Sequence, residues 1–367
     1  MPATPTILQP AVILERISRL NLINTTLQKT LGFQRGGPRV RTSPMGRRGS
    51  YDVFNDTREV AGATGPGAPA NRINRQIVGN VPFQIPRSSE AMHMLYEQIH
   101  AFRRIGGPVG EIDAMGQQYI FDQERIVAQR IANLREFQTA AMLRGSYTFS
   151  QGGLGEFSHA FSGGAFTVNY QIPAGNKTKL NMLGAGDILA TSWDNAAAPI
   201  ITDCFQIQTA FNQLIGRGLS DVILTSVGWG YVLANTQVQN QAGSVNQVFD
   251  YITKNEEDQT FTAKLKALPW VTWHINDSGV NLNGTFTKLI EDDHAVFLPQ
   301  LTDEMVSYWE CGAPVVEYDG GPAVERVGEY YYAVNKAEPA RIELVSEFNG
   351  LPVLKNPQGV AYGLIKY

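Results

Sequence analysis

Between Glu111 and Gly145 the chain runs for more than thirty residues without a proline, "EIDAMGQQYIFDQERIVAQRIANLREFQTAAMLRG". Within that run Ile120, Val127, Leu134 and Ala141 are spaced by seven, and Ile131 and Phe137 fill the same face. Apolar residues at this period predict one continuous helix over 113–144. Gly145 ends it. At 1.5 Å per residue such a helix is on the order of 45 Å long. That is the width of a domain, so the other elements must be disposed along it. A coiled coil fits less well, because no second apolar position repeats cleanly through the heptads.

The chain has 367 residues, of which 43 % are hydrophobic and 17 % charged. This is enough apolar material for a substantial core, divided between two domains or placed in one large domain with extensions. The low charged fraction suits a chain that hides surface against copies of itself. Charge is also unevenly placed. Residues 1–145 hold 18 basic and 11 acidic side chains, net +7, and the remainder holds 12 and 23, net −11. A basic first part and an acidic second part fit head-to-tail contact between copies, and equally contact with a polyanion.

The most basic region has little with which to build a core. Arg35, Arg39, Arg41, Arg47, Arg48, Arg58, Arg72 and Arg75 crowd about forty residues rich in glycine and proline. "GSYDVFND" and "RQIVGNVPFQIP" read as two strands around the soft tip "REVAGATGPGAPANR". Together they predict a long projecting hairpin. A lone two-stranded ribbon is marginal in water, so it must lie on something. Arginine suits phosphate, and it suits carboxylates across protein interfaces as well. Only Tyr51 and Phe54 supply aromatics for base stacking. From composition alone the two readings stay level.

Elsewhere the pattern reads as follows. Val12, Ile13, Ile17, Leu20, Leu27 and Leu31 recur at helical spacing and predict one or two short helices in an N-terminal arm. "RSSEAMHMLYEQIHAFRR" predicts a helix capped by Ser88 or Ser89, with Met92, Leu95, Ile99 and Phe102 on one face. Residues 146–184 look β-rich. Another helix is expected from Thr202 or Asp203 to Gly218, with Phe205, Phe211, Leu214 and Ile215 supplying its buried face. "DVILT" follows as a buried strand, helix–strand alternation continues through "VNQVFDYITK" and "WVTWHI", and residues from about 185 to 320 read as a separate α/β-type unit. "EYYYAVNKAEPARIELVSEF" is strand-rich. No signal peptide or membrane-spanning apolar run is apparent, which points to a cytoplasmic setting.

Catalytic signatures are weak. Cys204 reads as a core residue, and neither it nor Cys311 sits in a motif. His93 and His100 lie seven apart but lack a third ligand. "EDDHAVFLP" groups Glu291, Asp292, Asp293 and His294, for which a solvated turn before a strand is the better reading than a metal or acid–base site. "GATGPGAPA" lacks the Gly-Lys-Ser/Thr ending of a phosphate loop. No catalytic residue, metal or cofactor is expected.

The order of these parts resembles the major capsid proteins of tailed bacteriophages, with the Johnson fold, and more narrowly the lambda-type capsid protein E family. "GRRGSYDVFNDTREVA" is similar to that family's extended-loop strand, and "ERIVAQRIANLREFQTAAMLRG" to its spine helix. "SWDNAAAPIITDCFQIQTAFNQLIGRGLSDVILTSVGWGYVLANTQV", "LIEDDHAVFLP" and "LPVLKNPQGVAYGLIKY" follow its later pattern. The likeness runs from about residue 38 onward.

The resemblance implies an α+β chain in six stretches: an N-terminal arm (1–37), an extended β-hairpin loop (38–85), a peripheral domain (86–184) with the spine helix at 113–144, an axial domain (185–322), return strands of the peripheral domain (323–350), and a C-terminal segment back in the axial domain (351–367). It implies a shell protein that assembles through pentamers and hexamers around packaged double-stranded DNA, in the virion, after assembly in the host cytoplasm. Scaffold, portal and decoration proteins are the expected partners. Arg47, Arg48, Tyr51, Phe54, Arg58, Arg72 and Arg75 would then lie on a neighbouring subunit, which would supply the loop's missing core. Ile120, Val127, Ile131 and Leu134 would form the core of the spine helix. Some capsids of this fold join a loop lysine to a neighbour's asparagine, but here no lysine occurs between Lys29 and Lys177. That cross-link is therefore not expected. A nucleic-acid-binding protein using residues 35–75 is the alternative.

Overall fold

The computed structural model describes residues 8–54, 77–95, 114–149, 166–241, 249–255, 260–282, 284–316, 321–336 and 341–367. The chain divides into two compact units. The first gathers Met1–Arg48, Gln84–Glu136 and Tyr308–Leu351; the second gathers Gly49–Phe83, Phe137–Ser307 and Pro352–Tyr367.

In the first unit, the arm folds as two short helices, α1 (Pro10–Ser18) and α2 (Thr26–Thr30). Proline at the start of α1 costs no hydrogen bond, since the first turn has no acceptor for its N–H. Leu8, Ile13, Ile17, Leu27, Leu31 and Phe33 are buried. Val40–Thr42 then runs parallel to the strand at Tyr308–Glu310. An antiparallel three-stranded sheet places Arg341–Phe348 between Glu329–Lys336 and Ser88–Leu95.

The last of these strands overturns the helix expected from residue 88. Ser88–Leu95 is extended, with Ser88 and Met94 buried while Ser89, Ala91, His93 and Leu95 face out. Met92 and Leu95, assigned to one helical face, lie on opposite faces of a strand. Its distant partner decides the matter, since all eight residues pair with Arg341–Phe348. The remainder of that expected helix, including His100, Ile99 and Phe102, lies outside the described residues.

The long helix, α3, spans Ala114–Arg144 and stops at Gly145, whose φ of 101° suits glycine. Ile120, Val127 and Ile131 are buried and Leu134 is half-buried. The same helix also buries Glu124, Arg135, Glu136, Gln138 and Thr139. It is thus no simple amphipathic stripe, and each of these polar groups requires a partner.

In the second unit a seven-stranded mixed sheet runs in the order Lys177–Thr178, Ala361–Leu364, His294–Pro299, Leu219–Leu224, Leu268–Ile275, Thr260–Leu265, Phe249–Asn255. Its central strands are continuous apolar runs; five of the six residues of His294–Pro299 are buried. This is the signature of strands covered on both faces. Helix α4 (Ile200–Ile215) ends at Gly216, with φ 70°, two residues before the expected Gly218. Cys204, Ile207, Phe211 and Ile215 face inward, whereas Phe205, expected in that core, is 46 % exposed. Helices α5 (Ser226–Ala234) and α6 (Thr236–Gln241) follow the first central strand. From residue 249 onward the described chain is β-rich, so the expected helix–strand alternation ends there. No described helix is long and apolar enough to cross a membrane.

Candidate functional site

The arginine-rich ribbon is described at its base, strands Arg48–Phe54 and Ile77–Gln84. Alternation places Tyr51, Val53, Val81 and Phe83 on one face, all no more than 5 % exposed. Tyr51 and Phe83 pack with ring centroids 6.1 Å apart. Burial pushes the Tyr51 phenol well above its usual range, against a backbone hydrogen bond at Leu354. The Phe54 N–H donates to the Lys355 carbonyl at 3.1 Å. The Gln171 side chain donates to the Asn80 carbonyl at 3.2 Å. It lies so close over Gly79 that an added Cβ would meet its oxygen at 2.2 Å and the glutamine would have to swing aside. On the outer face Asn80 donates to Asp52 at 3.1 Å.

The ribbon base therefore has a core within its own chain, which corrects the expectation that a neighbour supplies all of it. Tyr51 is committed there and does not present its ring outward. Phe54 is half-buried. Arg48 is exposed, and the half-buried Arg47 donates to the Ile85 carbonyl at 3.2 Å. Arg58, Arg72 and Arg75 lie outside the described residues.

Along α3, polar side chains hold the arm. Glu136 accepts the Leu27 N–H at 2.6 Å and the Gln28 N–H at 3.0 Å, so a carboxylate from a distant helix caps α2. Gln129 accepts from the Ile23 N–H at 3.0 Å and donates to the Ile23 carbonyl at 2.6 Å. Asn24 donates to Asn133 at 3.2 Å. Arg16 pairs with Glu124, a fully buried carboxyl that burial pushes up to about 7 while Arg16 pulls it down.

The strongest electrostatic feature is one that motif reading missed. Arg135, 1 % exposed, donates to Glu329 at 2.9 Å, to Glu310 at 3.2 Å and to the Phe33 carbonyl at 3.2 Å. Its guanidinium lies 4.9 Å from the Phe348 ring centre and 5.3 Å from that of Tyr308. Tyr331 donates to the other oxygen of Glu329 at 2.6 Å. Burial holds Glu310 above the usual carboxylate range despite Arg135. An arginine interrupting the apolar pattern of "NLREF" was the available signal.

The acidic cluster also resolves into pairs. His294 Nδ1 lies 2.7 Å from Asp293 and 3.2 Å from Glu291, and its ring stacks on Tyr362 at 4.6 Å. Arg144 sits 3.3 Å from Glu291. Asp292 turns instead to Lys288 at 2.6 Å, which holds its carboxyl below the ordinary range. The ligand atoms of Glu291, Asp293 and His294 lie within 4.8 Å of one another, close enough for a metal. The Arg144 guanidinium, however, already supplies positive charge there. A cavity of about 290 Å³ beside α3 is lined by Tyr147, Arg144, Lys288 and Leu289, and by none of those three. His93, on its strand, lies 3.3 Å from Glu343, and His100 lies outside the described residues.

Two solved structures share the fold. A protein described as a prophage capsid protein of E. coli CFT073 matches with a TM-score of 0.56 at 13 % identity, over 98 % of this chain and 99 % of that one. A phage-related protein from Bordetella bronchiseptica RB50 matches with a TM-score of 0.52 at 13 % identity, over 98 % and 97 %. A sequence comparison with curated proteins gives no match. The architecture is that of the tailed-phage capsid class, a mixed helix-and-sheet subunit. Residues 10–363 match the profile of phage major capsid protein E, and the chain belongs to that family. It is a structural subunit of the phage head shell, located in the virion.

Proposed function

We propose that copies of this chain form pentamers and hexamers that close into an icosahedral shell around packaged double-stranded DNA. In this reading residues 38–85 form the extended loop and reach a neighbouring subunit through Arg47, Arg48 and the arginines of the tip. Residues 86–184 and 323–350 serve as the peripheral domain, and 185–322 with 351–367 as the axial domain. Assembly takes place in the host cytoplasm, with scaffold and portal proteins as partners. The role is structural and non-enzymatic.

The observation that carries this reading is the family match across residues 10–363. The ribbon supports it: its base is packed within the chain, and Arg48 stands exposed there. Repeated heterologous contacts of this kind close when their angles permit, and each contact stabilises the fold by mass action.

The test is electron microscopy of the chain expressed alone, paired with sedimentation velocity. Uniform round particles, or discrete pentamers and hexamers, are expected. A monomer that binds DNA at physiological salt, with affinity falling steeply as salt rises, would overturn this reading in favour of nucleic-acid binding through residues 35–75.

A further inference from the structure

Helix α1 is lightly held. It is nine residues long, its N-terminus has no side-chain cap, and the side chains it buries are Ile13 and Ile17. A helix this short does not persist in water without the surface it packs on. Its polar anchor is Arg16, which reaches Glu124 on α3, 108 positions later in the chain. Helix α2 is held differently, since Glu136 accepts two N–H groups of its first turn. Glu124 is fully buried, and one of its carboxyl oxygens meets Arg16. The other oxygen, also buried, has no hydrogen-bond partner among the described residues. The charge that acts on this carboxyl is Arg16. The other titratable groups of the elements meeting here are engaged or face solvent. Glu15 pairs with Arg19 on α1, and Asp122 and Arg125 of α3 are exposed. On the strand Glu329–Lys336, against which α1 also packs, Glu329 is bound to Arg135 and Lys336 ends the strand.

A carboxylate with one bonded oxygen and one stranded oxygen is poorly served in the interior, and the desolvation of such a pair can exceed its attraction. Burial pushes Glu124 from 4.5 up to about 7, while Arg16 pulls it down. Departure of α1 removes Arg16 and opens the carboxyl to water. The docked arm therefore holds this proton more tightly than the free arm does. Docking is strongest at pH values below the free value of 4.5 and weakens as pH rises through about 7. We propose that Glu124 is a proton-controlled latch for the arm: its neutral form keeps α1 on α3, and its ionisation releases α1 while α2 stays capped by Glu136. The latch belongs to the single subunit and does not depend on the shell reading.

The test is hydrogen exchange read by mass spectrometry on the full-length chain, kept as single subunits as checked by sedimentation velocity. Wild type and Glu124→Gln are compared from pH 5.5 to 8, with rates corrected for the intrinsic pH dependence of exchange. Glutamine has the shape of the neutral acid and keeps an oxygen for Arg16. In the wild type the opening constant of α1 amides should rise about tenfold across this range. Amides of α2 and of the central strands Leu219–Leu224 and His294–Pro299 should not follow it. In Glu124→Gln the α1 profile should be flat, and at pH 8 its α1 should be better protected than that of the wild type. A plain stabilising ion pair gives the opposite order at pH 8, with the glutamine variant opening more, and that result would overturn the proposal. A flat wild-type profile, or α1 and α2 opening together, would overturn it as well.

Discussion

Trp193 donates its indole N–H to the carboxylate of Asp203 at 3.0 Å, and both side chains are buried. Burial raises the Asp203 carboxyl from 3.8 to about 6, opposed by the hydrogen bond from Trp193. A raised carboxyl means that the folded chain holds this proton more tightly than the unfolded one. Its stabilisation is therefore complete at pH values below the unfolded pKa and is lost as pH rises through about 6. At roughly 1.4 kcal/mol per unit the full effect is about 3 kcal/mol. Asp203→Asn keeps an oxygen for Trp193 and removes the titration. Calorimetry between pH 4.5 and 7.5 should show a flatter Tm profile for the variant than for the wild type; coincident profiles would refute the assignment.

The cap that Glu136 places on α2 gives a second expectation. Glu136→Ala leaves the Leu27 and Gln28 N–H groups without their acceptor, at a cost of about 1–3 kcal/mol. Glu136→Gln retains one oxygen and should fall between. Because the loss is local, limited trypsin digestion should cut the arm at the exposed Arg19 sooner in Glu136→Ala, while residues beyond the arm resist as before.

Arg135 neutralises two carboxylates that its burial would otherwise strand. Arg135→Met should destabilise the first unit by about 3–5 kcal/mol, because Glu310 and Glu329 lose their common cation. Adding Glu310→Gln and Glu329→Gln to Arg135→Met should recover part of that loss. Chemical denaturation of the single and triple variants checks both statements. No recovery would mean that the stacking on Tyr308 and Phe348, rather than charge, sets the cost.

Arg47→Glu with Arg48→Glu should block assembly and leave a folded subunit, as read by electron microscopy and circular dichroism. Normal shells from this variant would show that these two arginines do not carry the contact between copies.

Since no lysine lies between Lys29 and Lys177, purified shells should run as a single monomer band on a denaturing gel. A ladder of covalent oligomers would contradict this.

Several elements were legible because their determinants are local. The long helix was expected over 113–144 and is found at Ala114–Arg144, since proline, glycine and the apolar period mark a helix without help from its surroundings. The ribbon strands were legible from alternation, as was the burial of Cys204 from its place in a helical period. Ser88–Leu95 was misread because its residues satisfy both periods over so short a run, and its partner strand lies some 250 residues later, with Glu343 opposite His93. Phe205 was misread for a related reason. Its spacing matches a core position, but the buried stripe of α4 is already filled by Cys204, Ile207, Phe211 and Ile215.

The sequence by itself determined the order of parts, the long helix, the basic ribbon and the membership of a capsid family, because periodicity, breakers and composition are written along the chain. Only the tertiary structure decided which charges are buried and what they meet. Arg135 with Glu310 and Glu329, and Glu136 with the start of α2, are pairs between residues more than a hundred positions apart. A buried charge is tolerated only where folding brings its partner, and that partner cannot be read from the neighbours it has in sequence.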